Sequence, residues 1–225
     1  MFSVKYKIII TVAAVAVLLT LALLSPLFSV REVVITGVDT LSEQFVREAL
    51  TLEGEVNLFS FNTSKAAAEL KKNHFVDQVR IKKDYMGQTL SIDITERVLS
   101  CYVEMMSGQY LYLDREGRVL RSETFYTDKL PFVEGLKFSG FTVGRPLSVE
   151  NPETLSTAIT LAQVISEYDK LAEELVKIDM SSADCARLVL RNVEVELGGL
   201  KDIDEKIRAL EAILENLPDK NMKGT

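Results

Sequence analysis

Few residues in this chain could do chemistry, and their spacing gives little basis for it. His74 is the only histidine among 225 residues. It stands beside Phe75 just before a strand-like run, where it reads as a polar residue at a helix exit, not as part of a Ser–His–Asp triad or a histidine metal site. Cys101 and Cys185 lie far apart with no Cys-x-x-Cys spacing. They could join in a disulfide or stay two small half-buried strand residues, and spacing decides neither. Glu173-Glu174 and the group Asp202, Asp204 and Glu205 could pair carboxylates, yet they fall where solvated faces and first helical turns carry acids. Glu96-Arg97 resembles an ion pair, and its place at a strand end points to a structural role. No phosphate-cradling glycine loop and no Gly-x-Ser-x-Gly elbow occurs. The expectation is a protein that is not an enzyme and that needs no metal or cofactor.

The charge pattern narrows the partners. The first 30 residues hold Lys5 and Lys7 and no acid; the remaining 24 basic and 33 acidic residues leave the body at −9. An acidic body is a poor match for nucleic acid, whose phosphates call for a basic face. Ahead of it, residues 8–24 read IIITVAAVAVLLTLALL, with no charge, amide or glycine. As a helix this run spans roughly 25 Å, the short end of membrane-crossing length. Its Ile, Val and Leu each favour insertion by about 0.3–0.6 kcal/mol near the bilayer centre. Ser25-Pro26 then ends it. A cleaved signal peptide is the rival reading, but the run exceeds the usual length of such a core and no clean small-x-small site follows. The expectation is one transmembrane helix over 8–24, with Lys5 and Lys7 holding a cytoplasmic N-terminus of residues 1–7 and the body on the far side of the membrane.

The body begins at once. Residues 29–36 (SVREVVIT) predict a strand closed by Gly37. Thr40-Leu41-Ser42-Glu43 has capping-box spacing before a helix with Leu41, Phe45, Ala49 and Leu50 on one face. Asn62 or Thr63 can cap a second helix that turns Ala66, Ala67 and Leu70 inward. Residues 75–83 and 89–95 predict two strands; the first sets Val79 and Ile81 on one face, and the second alternates Leu90, Ile92 and Ile94 inward. The connection at 84–88 contains Gly87, which suits a tight tip. The order strand–helix–helix–strand–strand fits two helices on a three-stranded sheet. Further on, Asp114-Arg115-Glu116-Gly117 has the composition of a type I turn joining a hairpin over 109–120. Asn151-Pro152 reads as N-cap and first residue of a helix packing Leu155, Ile159, Ala162 and Ile165. Short strands are expected at 175–179, 187–191 and 193–197, with Asn192 as a turn. A last helix, capped by Asp202 with Glu205, runs to Pro218.

These residues also carry a likeness. The string V-x-x-V-x-I-T-G near Val30, G-x-x-N-L-F at 54–59, and a hairpin ending Ile92-Asp93-Ile94-Thr95-Glu96-Arg97 resemble a POTRA domain. A POTRA domain behind one N-terminal anchor is similar to the FtsQ/DivIB family of bacterial cell-division proteins. Tyr112-Leu113-Asp114-Arg115-x-Gly117, Leu130-Pro131-Phe132-Val133-x-Gly135 and Val195-Glu196-Leu197-Gly198 resemble that family's β domain. Two departures stand: Met86-Gly87 occupies the hairpin tip and Leu99 the second position after Glu96-Arg97, where prolines are common. The resemblance implies an α+β chain: a transmembrane helix, a POTRA domain (β-α-α-β-β) over 28–98, and a mainly antiparallel β domain with two helices over 99–225. It also implies a further strand after the last helix, so the chain is expected to be cut short after Thr225.

What the resemblance implies of function is a non-catalytic scaffold in the cell membrane at the division septum. It would bind membrane-anchored coiled-coil proteins of the FtsB and FtsL type and, through them, link to the septal peptidoglycan synthase, with no small-molecule substrate. The residues themselves suggest how. A sheet edge presents unpaired N–H and C=O groups to which an extended partner can add a strand. The candidate edge is the late β segment with Arg187, Val189, Arg191, Val193, Val195 and Leu197, whose arginines could meet acids on a partner. Equally, those strands could be internal and the arginines merely solvated. Two other classes remain: a POTRA-bearing outer-membrane assembly or translocation component, and a membrane-anchored envelope enzyme. Neither a second copy of the strand–helix–helix–strand–strand block nor a series of barrel strands follows to favour the former.

Overall fold

The computed structural model describes residues 4–23, 25–126, 129–182, 185–191, 193–198 and 202–216. The chain divides into two compact units, Met1–Glu96 and Arg97–Thr225. The division falls between the neighbouring residues Glu96 and Arg97.

The first unit opens with helix α1 (Val4–Leu23), followed by a 3₁₀ turn at Pro26–Phe28. The helix begins four residues before Ile8, since no helix breaker stands among the residues there, and it includes Lys5 and Lys7. Its described side chains cover residues 6–21, every one of them exposed. Among the described residues no helix is long and apolar enough to cross a membrane. The span expected over 8–24 therefore stands on the sequence.

Strand β1 (Glu32–Thr36), helices α2 (Glu43–Ala49) and α3 (Thr63–Leu70), and strands β2 (Val76–Asp84) and β3 (Thr89–Glu96) follow in the anticipated order. The sheet runs β1-β3-β2, with β1 parallel and β2 antiparallel to β3. Alternation buries Leu90, Ile92 and Ile94 against Val46, Leu58 and Leu70 from the helical layer and its loop. Each such side chain contributes about 1.5–3 kcal/mol of transfer free energy. Two local expectations change. Helix α2 is capped by Ser42, whose Oγ accepts from the Phe45 N–H at 3.1 Å, and the Thr40 N–H is instead taken by Glu96 Oε2 at 2.8 Å. At the β2–β3 tip the left-handed residue is Gln88 (φ 54°) and not Gly87. Its carbonyl is held by the Arg31 N–H at 2.8 Å.

The second unit holds strands β4 (Leu99–Glu104), β5 (Tyr110–Asp114), β6 (Val119–Glu123) and β7 (Phe132–Glu134), helices α4 (Pro152–Ile165) and α5 (Asp169–Glu174), strands β8 (Leu175–Asp179), β9 (Ala186–Leu190) and β10 (Glu194–Gly198), and helix α6 (Ile203–Asn216). They form one seven-stranded sheet in the order β10-β9-β8-β7-β4-β5-β6. The β4–β7 and β7–β8 pairs are parallel and the other four antiparallel, so the sheet is mixed. Parallel neighbours arise because β7, only three residues long, inserts between β4 and β8. Three helices accompany the sheet where two were expected. The added one, α5, is a six-residue segment too short to show a period. Asn151 caps α4 as its side chain predicts, with Pro152 in the first turn. Asn192 and residues 217–225 lie outside the described residues. The core gathers the inward faces of α4, α6 and the sheet, from Leu113 and Val133 to Leu188 and Ile207.

Candidate functional site

The sheet of the second unit buries one face under helices. On the other face, cross-strand register lines up a single row over all seven strands: Arg121, Tyr112, Tyr102, Phe132, Lys177, Val189 and Glu194. One end is basic and aromatic. The Arg121 guanidinium lies 4.4 Å from the Tyr112 ring centre, a cation–π distance. Tyr102 packs against Tyr112 at 5.8 Å and Phe132 at 5.2 Å, and Tyr126 stacks on it at 5.8 Å. Burial is the first cause holding the Tyr102 hydroxyl above its ordinary pKa, helped by the neighbouring tyrosines.

The other end is charged. A second row runs Glu134, Asp179, Arg187 and Glu196. Lys177 Nζ donates to Glu134, which holds the ammonium above its usual range. Ser181 holds the Asp179 carboxyl low through hydrogen bonds, and nearby Lys177 and Arg187 act in the same direction. Arg187 Nη2 donates to Glu196 Oε1 at 3.0 Å.

Sequence-predicted site residues occupy different places in this arrangement. Arg187 and Val189 lie on β9, which is flanked by β8 and β10 and is therefore internal. Arg191 stands in a bend after β9, its N–H donating to the Glu174 carbonyl at 3.0 Å. Val193 precedes β10. Val195 and Leu197 turn toward the core. Within this late segment the edge strand is β10, and its outward side chains are the exposed Glu194 and Glu196. Late-segment arginines therefore do not line the edge.

The register also tells which backbone groups are free. Val193 O accepts from the Leu190 N–H at 2.9 Å, so Val193 faces β9. Antiparallel pairing alternates, so Val195 faces β9 as well, while Glu194 and Glu196 aim N–H and C=O away from it. Among the described residues no strand pairs with that side of β10. Lys206 Nζ donates to the Leu197 carbonyl at 2.9 Å, where the β9–β10 register is irregular.

Two features were missed by sequence reasoning. The aromatic face was signalled by the alternation of Tyr110 and Tyr112 with Leu111 and Leu113, but its other half sits on β4 and β7, which carry no clear period. A groove of about 960 Å3 beside β4 and β8 is lined by Val98, Leu99, Leu130, Val176 and Arg191. Ser100 also lines it, and its buried Oγ has no hydrogen-bond partner among the described residues. Among the described residues no group of three or more His, Cys, Asp or Glu could hold a metal ion. Cys101 and Cys185 are both free thiols, Cys101 fully buried on β4.

Comparison with known proteins follows the same division. Residues 28–97 match the family model described as POTRA domain, FtsQ-type, and residues 102–223 match that described as FtsQ/DivIB, C-terminal related. Cell division protein DivIB of Clostridium tetani is 24% identical over 205 residues, covering 91% of this chain and 76% of that protein. Cell division protein DivIB of Clostridium botulinum (strain Hall) is 18% identical over 219 residues, covering 94% and 82%. Cell division protein FtsQ of Mycobacterium tuberculosis (strain H37Rv) is 28% identical over 207 residues, covering 91% of this chain and 61% of that protein.

Proposed function

The chain belongs to the FtsQ/DivIB family of cell division proteins, and from that membership we propose that it is a membrane-tethered, non-catalytic docking scaffold of the division septum. The observation that carries this reading is the outer side of β10, where Glu194 and Glu196 present backbone groups that no described strand takes up. An extended partner segment adds an eighth strand there, its backbone supplying affinity and its side chains meeting the two acids and the Lys206 ammonium. The partners proposed are membrane-anchored coiled-coil division proteins of the FtsB and FtsL type, and through them the septal peptidoglycan synthase. Arg187, one strand in and bound to Glu196, keeps that acid oriented. Arg191 stands at the other end of the β9–β10 pair, just past Leu190, and offers a cation to an acidic partner residue.

Tethering rests on α1. An apolar helix exposed all round has no stable place in water. Its two threonine hydroxyls are already satisfied within it, Thr11 Oγ1 donating to the Lys7 carbonyl and Thr20 Oγ1 to the Ala16 carbonyl, each at 2.9 Å. Such back-bonding suits a hydrocarbon surround. With Lys5 and Lys7 on the cytoplasmic side, the sheets of both units lie outside. Confinement to the membrane plane raises the effective concentration of other single-pass proteins, so modest pairwise affinities assemble a complex.

The test is site-specific photo-crosslinking in dividing cells, with the probe replacing Glu194 on β10 or Arg121 on β6 at the opposite edge. Capture of a coiled-coil division protein from position 194 supports the reading. Capture from 121 alone moves docking to β6. Recovery of no division protein from either, with the tagged protein spread evenly over the envelope, overturns it.

A further inference from the structure

An aromatic cluster in the first unit gathers around Phe28, five residues past the last residue of α1. Phe28 meets Phe59 edge-on with ring centres 4.6 Å apart, and Phe59 meets Tyr85 at 4.8 Å. Phe59 is 44%, Tyr85 42% and Met86 98% exposed. Large apolar side chains so open to water mark a surface that something else covers. Their positions are fixed by local structure. Asp84 Oδ1 accepts from the N–H groups of Met86 and Gly87, both at 3.0 Å, which sets the β2–β3 tip. Asn57 Oδ1 accepts from the Phe59 N–H at 2.9 Å and sets the loop.

The chain leaving α1 is pinned to this same edge. Leu58 N–H donates to the Phe28 carbonyl at 2.8 Å, Gln88 Nε2 to the Pro26 carbonyl at 3.4 Å, and Asn57 Nδ2 to the Ser25 carbonyl at 3.5 Å. From Leu23, the last residue of the helix, to Phe28 is five residues, which span at most about 18 Å even when fully extended. Pro26–Phe28 is wound into a 3₁₀ turn, so the true reach is shorter.

We propose that Phe59, Tyr85 and Met86 form a lipid-contacting rim, seated in the headgroup region of the bilayer that α1 crosses. This rests on the tethered reading above. The occupant is a lipid surface because the exposed cluster is hydrogen-bonded to residues 25–28, which follow the apolar helix within five residues. Tyrosine, with an apolar ring and a polar tip, is a side chain that the membrane interface accommodates best. Such a rim restrains the first unit at the membrane surface, where a free linker would let it swing.

The sequence contains no tryptophan, so one introduced Trp reports one position. Three single variants of the full chain are reconstituted in phosphatidylcholine vesicles with brominated acyl chains, which quench tryptophan at the interface and below. Leu18→Trp reports on the helix and Met86→Trp on the rim. His74→Trp is the control, because His74 is exposed and the nine-residue strand β2 separates it from the tip by roughly 30 Å. The expected result is strong quenching of Leu18→Trp, about twofold loss for Met86→Trp with a blue-shifted maximum, and no loss for His74→Trp. Quenching of Leu18→Trp alone overturns the rim and leaves the tether. Quenching of none overturns both. A blue-shifted but unquenched Met86→Trp means that protein covers the tip, which also overturns the inference.

Discussion

Arg97 Nη1 donates to Asp114 Oδ2 at 2.8 Å, and the Asp114 side chain is only 3% exposed. The other carboxylate oxygen, Oδ1, accepts from the N–H groups of Glu116 and Arg118, both at 2.8 Å. The β5–β6 turn is thus organised around one buried carboxylate whose countercharge comes from the first residue of the unit. Arg97 also reaches Glu116 at 2.9 Å, but that acid is 63% exposed and contributes little. Glu96, its chain neighbour, instead accepts from the N–H groups of Asp39, Thr40 and Leu41 in the first unit. The two residues are therefore not an ion pair with each other.

Removing the countercharge should leave Asp114 buried with its backbone bonds alone. Arg97→Ala is expected to lower the stability of the second unit by about 2–4 kcal/mol, and Arg97→Lys by less. Urea unfolding followed by circular dichroism measures both. Equal midpoints for Arg97→Ala and the parent would show that the pair is dispensable.

Gly37 is required for two reasons at once. Its φ is 75°, and a Cβ there would stand 1.9 Å from the Ile94 carbonyl oxygen. Gly108 has a similar φ of 77° with nothing within 4 Å. Gly108→Ala should therefore cost about 1 kcal/mol of backbone strain, and Gly37→Ala clearly more because the β3 backbone must move. Thermal melts of the two variants compare them directly.

The two thiols should differ in reactivity. Burial, with Asp114 nearby, pushes the Cys101 thiol from 9.0 up to about 12. Iodoacetamide at pH 8 should label Cys185 in the native protein and both cysteines after denaturation, as counted by mass spectrometry. The sign of the linked stability follows. The unfolded chain loses this proton from about pH 9 while the folded chain keeps it to about 12, so the contribution is complete below 9 and declines between 9 and 12.

Docking by strand addition needs the outward N–H of Glu194. Glu194→Pro removes it without touching the β9 ladder, whereas Glu194→Ala keeps it. Capture of the coiled-coil partner should fall about tenfold or more for the first and change about twofold or less for the second. Reversing Arg187 and Arg191 together should also weaken capture, partly by breaking the Arg187–Glu196 bond. Exchanging Arg187 and Glu196 restores that bond and isolates the part owed to Arg191. Full capture by Glu194→Pro would exclude strand addition at β10.

Short-range features of this protein are determined by its sequence alone. The alternation of Leu90, Ile92 and Ile94 specifies a buried strand face, and all three are at most 2% exposed. Asn151-Pro152 specifies a helix start and Asp114 through Gly117 a turn, because caps and turns close within four residues. Tertiary structure decided what depends on distant neighbours. Ser42 and not Thr40 caps α2, and the Thr40 N–H goes to Glu96, 56 residues on. Likewise, β9 reads as a plausible edge from its own residues, and only pairing to β8 on one side and β10 on the other makes it internal. The aromatic row exists only once β7 brings Phe132 beside Tyr102. Local propensity acts over a few residues, whereas strand order is chosen by burying faces that lie far apart in the chain.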